Sequence, residues 1–230
     1  MKRALGLLVL AVVLAGCGGE PEPRALSTVE AERLALFRYT AYESKVLGVH
    51  ARVPAPGGAL VLDGRVDVAE HVGYVTLRTE GRDDDASAGL LQWGATAVAF
   101  NGTRSAAPID PPPAEGWRLR PIQPTGSELD GVLRMLLNLG ADRPENAQLL
   151  QQSSARWVGS EELGGRRVDV FEGPKPSTAT QGGPSRLRYW VDGDGRLHRV
   201  QARMGERQEP AVIDLSAGGA PITALPPLVR

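Results

Sequence analysis

The stretch Leu60-Val61-Leu62-Asp63-Gly64-Arg65-Val66-Asp67-Val68 alternates between apolar and charged side chains with a period of two. The apolar residues at positions 60, 62, 66 and 68 fall on one face of an extended chain, and the charged residues at positions 63, 65 and 67 fall on the other. This pattern predicts a half-buried strand of an antiparallel sheet, with its apolar face on the core.

Similar patterns recur along the chain, and together they predict about nine to eleven strands. The clearest further segments are 72–80, 90–93, 95–100, 155–161, 167–172, 187–191, 197–204 and 212–216. A sheet of so many strands must either close into a barrel or have its apolar face covered by other elements. We therefore expect an α+β fold, in which two or three helices lie across one strongly curved antiparallel sheet.

Three segments have helical signals. Ser27-Thr28-Val29-Glu30 is a capping box, which predicts a helix from there to about Val46, ended by Gly48. Ser127 caps a second helix, whose leucines follow a 3.6-residue spacing up to a C-terminal Gly140. Pro144 starts a shorter third helix.

The N-terminus has the pattern of a secretion signal. Lys2 and Arg3 precede an apolar run from Ala4 to Leu14, which ends in small residues. At about 1.5 Å per residue this run reaches roughly 16 Å, half the thickness of a ~30 Å hydrocarbon core. The segment is therefore too short to span a bilayer.

Leu14-Ala15-Gly16-Cys17 resembles the bacterial lipobox. The resemblance implies that Cys17 receives a diacylglyceryl group, becomes the new N-terminus and anchors the protein to the outer face of the cell membrane. An ordinary signal peptide with a chance cysteine is the alternative. The expected organisation is a signal peptide (1–16), a lipidated flexible tether (17–26), one domain (27–216) and a loose C-terminal tail (217–230).

Charge and composition exclude several classes of protein. The formal net charge is −1, and removal of Lys2 and Arg3 with the signal leaves −3, which argues against a nucleic-acid binder. Cys17 is the one cysteine of the chain, so no disulfide or redox thiol is expected. Lysine is rare beside arginine, alanine and glycine, which suggests a high-GC Gram-positive bacterium.

No motif predicts chemistry, and we expect no cofactor, no metal and no enzymatic activity. His50, His71 and His198 are isolated from other ligands at metal-site spacing. Asp83-Asp84-Asp85 is predicted to be a solvated loop, and Asp192-Gly193-Asp194-Gly195 a hairpin turn. A catalytic triad of dispersed residues, as in an esterase, is a third interpretation.

The order of elements resembles the mycobacterial-type LppX/LprG lipoproteins, which are similar in fold to the LolA/LolB carriers. The resemblance depends on the lipobox, on the early helix, on the leucine-rich helix of residues 129–139 and on the hairpin of residues 187–197. It implies a half-barrel sheet with helices on its concave face and a cavity between them for an acylated lipid or lipoglycan.

Two hypotheses about function follow. In the first, the protein is a membrane-anchored carrier, and its cavity is lined by residues chosen by alternation: Leu60, Leu62, Val66, Val75, Leu77, Leu133, Leu136, Leu137 and Trp190. In the second, the core is filled, and the protein is an envelope sensory or interaction lipoprotein that contacts a transporter or a signalling protein.

Overall fold

The computed structural model describes residues 22–82, 87–123, 125, 127–175, 185–204 and 209–228. Cys17 and the rest of the predicted signal lie outside these residues. The strands are β1 (Arg24–Ala25), β2 (Val46–Val53), β3 (Leu60–Asp67), β4 (Val72–Thr79), β5 (Gly89–Trp93), β6 (Ala97–Asn101), β7 (Trp117–Pro121), β8 (Arg156–Leu163), β9 (Arg166–Glu172), β10 (Leu187–Asp192), β11 (Leu197–Ala202) and β12 (Ala211–Ala217). The α-helices are α1 (Thr28–Glu43), α2 (Glu128–Leu137) and α3 (Ala147–Gln152), and a 3₁₀ turn spans Pro226–Leu228.

The described strands form one antiparallel sheet in the order β1-β8-β9-β10-β11-β12-β2-β3-β4-β5-β6-β7. The sheet is curved and does not close, so β1 and β7 are its edges. The predicted α+β class and the antiparallel sheet are confirmed. The sheet has twelve strands, whereas the sequence predicts nine to eleven. One strand that the sequence does not predict is β1, which lies within the stretch predicted to be a flexible tether and pairs with β8.

Helix α1 begins as predicted but ends earlier. The Ser27 hydroxyl accepts from the Glu30 N–H, and the Glu30 carboxylate accepts from the Ser27 N–H, which completes the capping box. The helix stops at Glu43, and Lys45 turns the chain with a φ of 57°. Gly48, predicted as the helix end, lies inside β2, because the segment from Val46 pairs along its length with β3.

The main core lies between the helices and the concave face of the sheet. Its central residues come from β3, β4, β5 and α2, and several are fully buried: Leu62, Val66, Val75, Trp93, Leu133 and Leu136. Helix α2 starts at the predicted cap, where the Ser127 hydroxyl accepts from the Asp130 N–H. No helix among the described residues is long and apolar enough to cross a membrane.

The convex face of β3, β4 and β5 is covered as well, which differs from the expected half-buried strand. The Tyr74 hydroxyl donates to the Ile109 carbonyl at 3.0 Å, so part of the loop between β6 and β7 lies on this face. Gln92 bonds the C-terminal segment, through the carbonyl of Thr223 and the N–H of Leu225. The tail predicted to be loose is therefore held against the sheet, and the side chain of Arg65 beneath it is only 13% exposed.

Candidate ligand cleft

The structure brings together eight of the nine side chains that alternation selected for a cavity. Seven lie in the main core cluster, and Leu60 packs against it. The strand residues Leu62, Val66, Val75 and Leu77 approach the α2 leucines at positions 133, 136 and 137. The predicted contact between the α2 helix and the sheet is present.

These side chains fill the space between α2 and the sheet. Leu62, Val75, Leu133 and Leu136 have no exposed surface, and the Trp93 indole reaches across to the Leu133 carbonyl. Leu137 is the one of the nine predicted residues that borders any of four clefts found among the described residues. The expected cavity at this place is occupied by protein side chains.

Trp190 lies on the other face of the sheet. It belongs to a separate cluster with Val168 and Val170, and its indole N–H donates to the Glu161 carboxylate. Because side chains alternate along a strand, the β10 residues that face the helices are its neighbours, including Tyr189. The assignment of Trp190 to the cavity is wrong for this reason.

An apolar cleft does exist at another place, between α1, α3 and β10, and we call it the α1–α3 cleft. Its volume is about 290 Å³. Its apolar walls are formed by Leu34, Phe37, Leu139, Leu150, Pro174 and Tyr189. This volume is just below the range of roughly 300–1,000 Å³ that is typical of small-molecule pockets.

Polar groups stand on one side of the α1–α3 cleft. Arg38 forms an ion pair with Glu145 at 3.2 Å and donates to the carbonyls of Asn138 and Gly140 at 3.0 and 3.3 Å. These contacts fix the loop between α2 and α3 against α1. A second, more open trough of about 650 Å³ shares Arg38, Glu145 and Leu150 with the cleft. The two spaces therefore adjoin each other.

Tyr189 sets the chemical character of the inner wall. Its ring centroid lies 4.9 Å from that of Phe37, and the two rings are tilted by 32°. Burial, together with the nearby Glu145 carboxylate, raises the pKa of Tyr189 to about 12. The phenol is neutral at physiological pH, as tyrosine is at its ordinary pKa, and the raised pKa extends that neutrality further into alkaline solution. The inner wall therefore carries no charge from this residue.

Helix α3 forms one wall because hydrogen bonds at both of its ends join it to α1 and to the residues just before α1. The Glu145 N–H donates to the Ala35 carbonyl at 3.0 Å, and the Asn146 side chain caps the helix. At the other end, Gln151 donates to the Leu26 carbonyl. The sequence predicts a helix here that starts at Pro144, whereas α3 begins at Ala147, after the Asn146 cap. The sequence does not predict this wall, because the contacts join residues more than a hundred positions apart.

The other two clefts are more polar. One lies at the C-terminal end of α2, where His71 forms a 2.9 Å hydrogen bond to the Leu137 carbonyl. The other is bordered by Arg166, Arg196 and His198. Both contain groups that are already engaged in the fold.

The Asp192 carboxylate stabilises the glycine-containing turn between β10 and β11 by accepting hydrogen bonds from the N–H groups of Asp194 and Arg196. Burial alone would raise the pKa of Asp192, but hydrogen bonds from His198, from Arg166 and from backbone N–H groups of the turn hold it below its usual value. The predicted hairpin is confirmed by the pairing of β10 with β11.

Within the described residues, no three metal-ligating side chains come together. Asp83-Asp84-Asp85 lies outside those residues.

Comparison with known proteins found similarity at the level of three-dimensional structure. An uncharacterized conserved protein from Thermus thermophilus has 10% identity and a TM-score of 0.41, over 81% of this chain and 87% of that one. LprF from Mycobacterium bovis has 16% identity and a TM-score of 0.39, over 91% and 100%. A putative outer membrane lipoprotein-sorting protein domain from Vibrio parahaemolyticus has 12% identity and a TM-score of 0.24, over 82% and 88%.

No protein-family model and no curated protein matches the chain.

Proposed function

We propose that this protein is an envelope lipoprotein that binds the acyl part of a lipid or lipoglycan in the α1–α3 cleft. The observation that carries the proposal is the cleft itself, which has apolar walls and an ion pair at one side. Ligand sites are commonly apolar, with a few polar groups that fix the orientation of the ligand.

The physical basis of binding is burial of apolar surface. Each Å² of acyl surface removed from water contributes about 25 cal/mol. A space of about 290 Å³ accommodates part of one chain, and the adjoining trough offers a path for the remainder. Arg38 stands where the two spaces meet, so a polar or anionic head group lies within reach of its guanidinium.

The proposal includes a lipid anchor on Cys17 at the outer face of the membrane. One acyl chain binds a membrane only marginally, whereas two or more hold a protein stably. Cys17→Ser is therefore expected to release a folded, soluble protein. Retention of that variant in the membrane fraction would contradict the lipobox interpretation.

Uptake of a fluorescent fatty-acid probe tests the cleft. Leu139→Trp adds bulk at the wall of the α1–α3 cleft and is expected to weaken probe binding. Leu228→Trp is the matched control, because Leu228 is similarly buried but borders the cleft at the end of α2. If both variants bind the probe like the parent protein, the α1–α3 cleft is not the site.

A second function is favoured by the packed contact between α2 and the sheet. Because Leu133 and Leu136 are fully buried there, the protein also fits an interaction lipoprotein whose core holds no cargo. Native mass spectrometry separates the two functions. Carriage predicts co-purified lipid that is lost in Leu139→Trp, and the interaction function predicts a lipid-free protein that retains an envelope partner after crosslinking.

A further inference from the structure

The described chain begins beside α3. Arg24 and Ala25 pair with β8, and the chain then enters α1. The side-chain amide of Gln151 in α3 lies 3.4 Å from the Leu26 carbonyl and 3.3 Å from the Thr28 hydroxyl. The last turn of α3 is therefore fixed next to the point where the N-terminal segment leaves the sheet.

The distance from this point to the predicted anchor is short. Cys17 precedes Arg24 by seven positions. A fully extended chain of that length spans at most about 25 Å. An acylated Cys17 therefore keeps α3 and the adjoining cleft within a few nanometres of the bilayer surface.

The exposed surface of α3 suits contact with lipid. Residues 146–155 contain no charged side chain. Leu149 is 64% exposed, the largest exposed fraction among the large apolar side chains of the described residues, and it borders the trough beside the cleft. An exposed leucine on a helix that itself carries no charged side chain enters a membrane interface with little desolvation cost. The charged residues Asp142, Arg143 and Glu145 border the same trough.

We propose that α3 rests on the bilayer, with Leu149 inserted in the interface, so that the α1–α3 cleft opens toward the leaflet that holds the anchor. This orientation rests on the proposed function and specifies the route by which an acyl chain enters. The occupant of this surface is the lipid bilayer itself. The charges of Asp142 and Arg143 are opposite, and Arg38 pairs with Glu145, so the charges around the trough sum to zero. Zwitterionic lipid is therefore sufficient for this contact, and anionic lipid is not required.

The test uses the full-length lipoprotein in phosphatidylcholine vesicles. In the acylated protein the Cys17 sulfur is blocked, so an introduced cysteine is the one free thiol. Leu149→Cys and Leu119→Cys each receive an environment-sensitive fluorophore, and nitroxide-labelled lipids serve as quenchers. Leu119 is the matched control: it is 48% exposed, lies on the opposite edge strand β7 and pairs with Ala99.

We expect a blue shift and strong quenching for the label at position 149, and neither change at position 119. Equal quenching at the two positions, or stronger quenching at position 119, would overturn the orientation. Probe uptake by the soluble Cys17→Ser protein is measured separately. Uptake without quenching at position 149 rejects only the orientation, whereas quenching without uptake supports the orientation and rejects the proposed ligand site.

Discussion

The indole Nε1 of Trp93 donates a hydrogen bond to the main-chain carbonyl of Leu133 at 3.0 Å. Trp93 is the last residue of β5, and Leu133 lies in the middle of α2. Both residues are fully buried. This bond and the surrounding leucines hold α2 directly on the sheet, and they explain why the predicted cavity is filled at this place.

Trp93→Phe is expected to destabilise the protein by about 1–2 kcal/mol, because it removes one buried hydrogen bond and part of a packed ring. Chemical denaturation followed by circular dichroism measures the change. Trp117→Phe is the control: its indole also donates to a carbonyl, that of Pro113 at 2.7 Å, but the ring is only half-buried. An equal or larger loss in Trp117→Phe would contradict the central role of Trp93.

Gly73→Ala is expected to destabilise the protein by about 1–3 kcal/mol, in the range of overpacked cores. Gly73 lies opposite Trp93 in the sheet, and a methyl group at this position would overlap the indole ring. Thermal denaturation measures the effect. Gly193→Ala serves as the control, since a methyl group at that hairpin position meets no other atom within 4 Å. Similar melting temperatures for the two variants would show that the ring moves away easily.

Glu30→Gln is expected to reduce the dependence of the free energy of unfolding on pH between about pH 2 and pH 4.3. The hydrogen bond from Arg24, opposed by burial and assisted by the Ser27 N–H, lowers the pKa of Glu30 to about 2 in the folded protein. The unfolded value is about 4.3, so the stabilising carboxylate contributes fully above that pH and is lost as pH falls toward about 2. Unfolding titrations at several pH values measure the slope.

The control for this titration is Glu32→Gln, which replaces an exposed carboxylate two residues further along α1. The Glu30 variant should lose more of the rise in unfolding free energy between pH 2 and pH 4.5 than the Glu32 variant. Identical profiles would show that the Arg24–Glu30 pair does not stabilise the junction of β1 and α1.

Gln92→Ala is expected to release the C-terminal segment from the convex face. The Gln92 side chain is fully buried and bonds the Thr223 carbonyl at 3.0 Å and the Leu225 N–H at 2.6 Å. Loss of these bonds leaves backbone groups unpaired, at a cost of about 1–3 kcal/mol. Faster amide exchange in residues 221–228 is the expected result. The exposed Gln148→Ala should leave exchange in that segment unchanged.

Local patterns in the sequence determined the elements of this fold. The Ser27–Glu30 capping box and the Ser127 cap act within four residues, so the starts of α1 and α2 follow from sequence alone. Alternation in residues 60–68 and 187–197 depends only on neighbouring positions, and both segments are strands as predicted. The end of α1 does not follow from the local pattern, because the pairing of β2 with β3 and with the distant β12 decides it.

Tertiary structure alone decided which face of each strand meets the helices and where open space remains. Alternation separates Tyr189 from Trp190, but it does not say which of the two points toward α1; contacts between distant segments do. The same reason applies to the α1–α3 cleft, whose walls combine Leu34 with Leu150 and Tyr189. The spacing of apolar residues along the sequence reflects the local geometry of a strand or a helix. The shape of a cavity depends instead on packing between residues that are far apart in the chain.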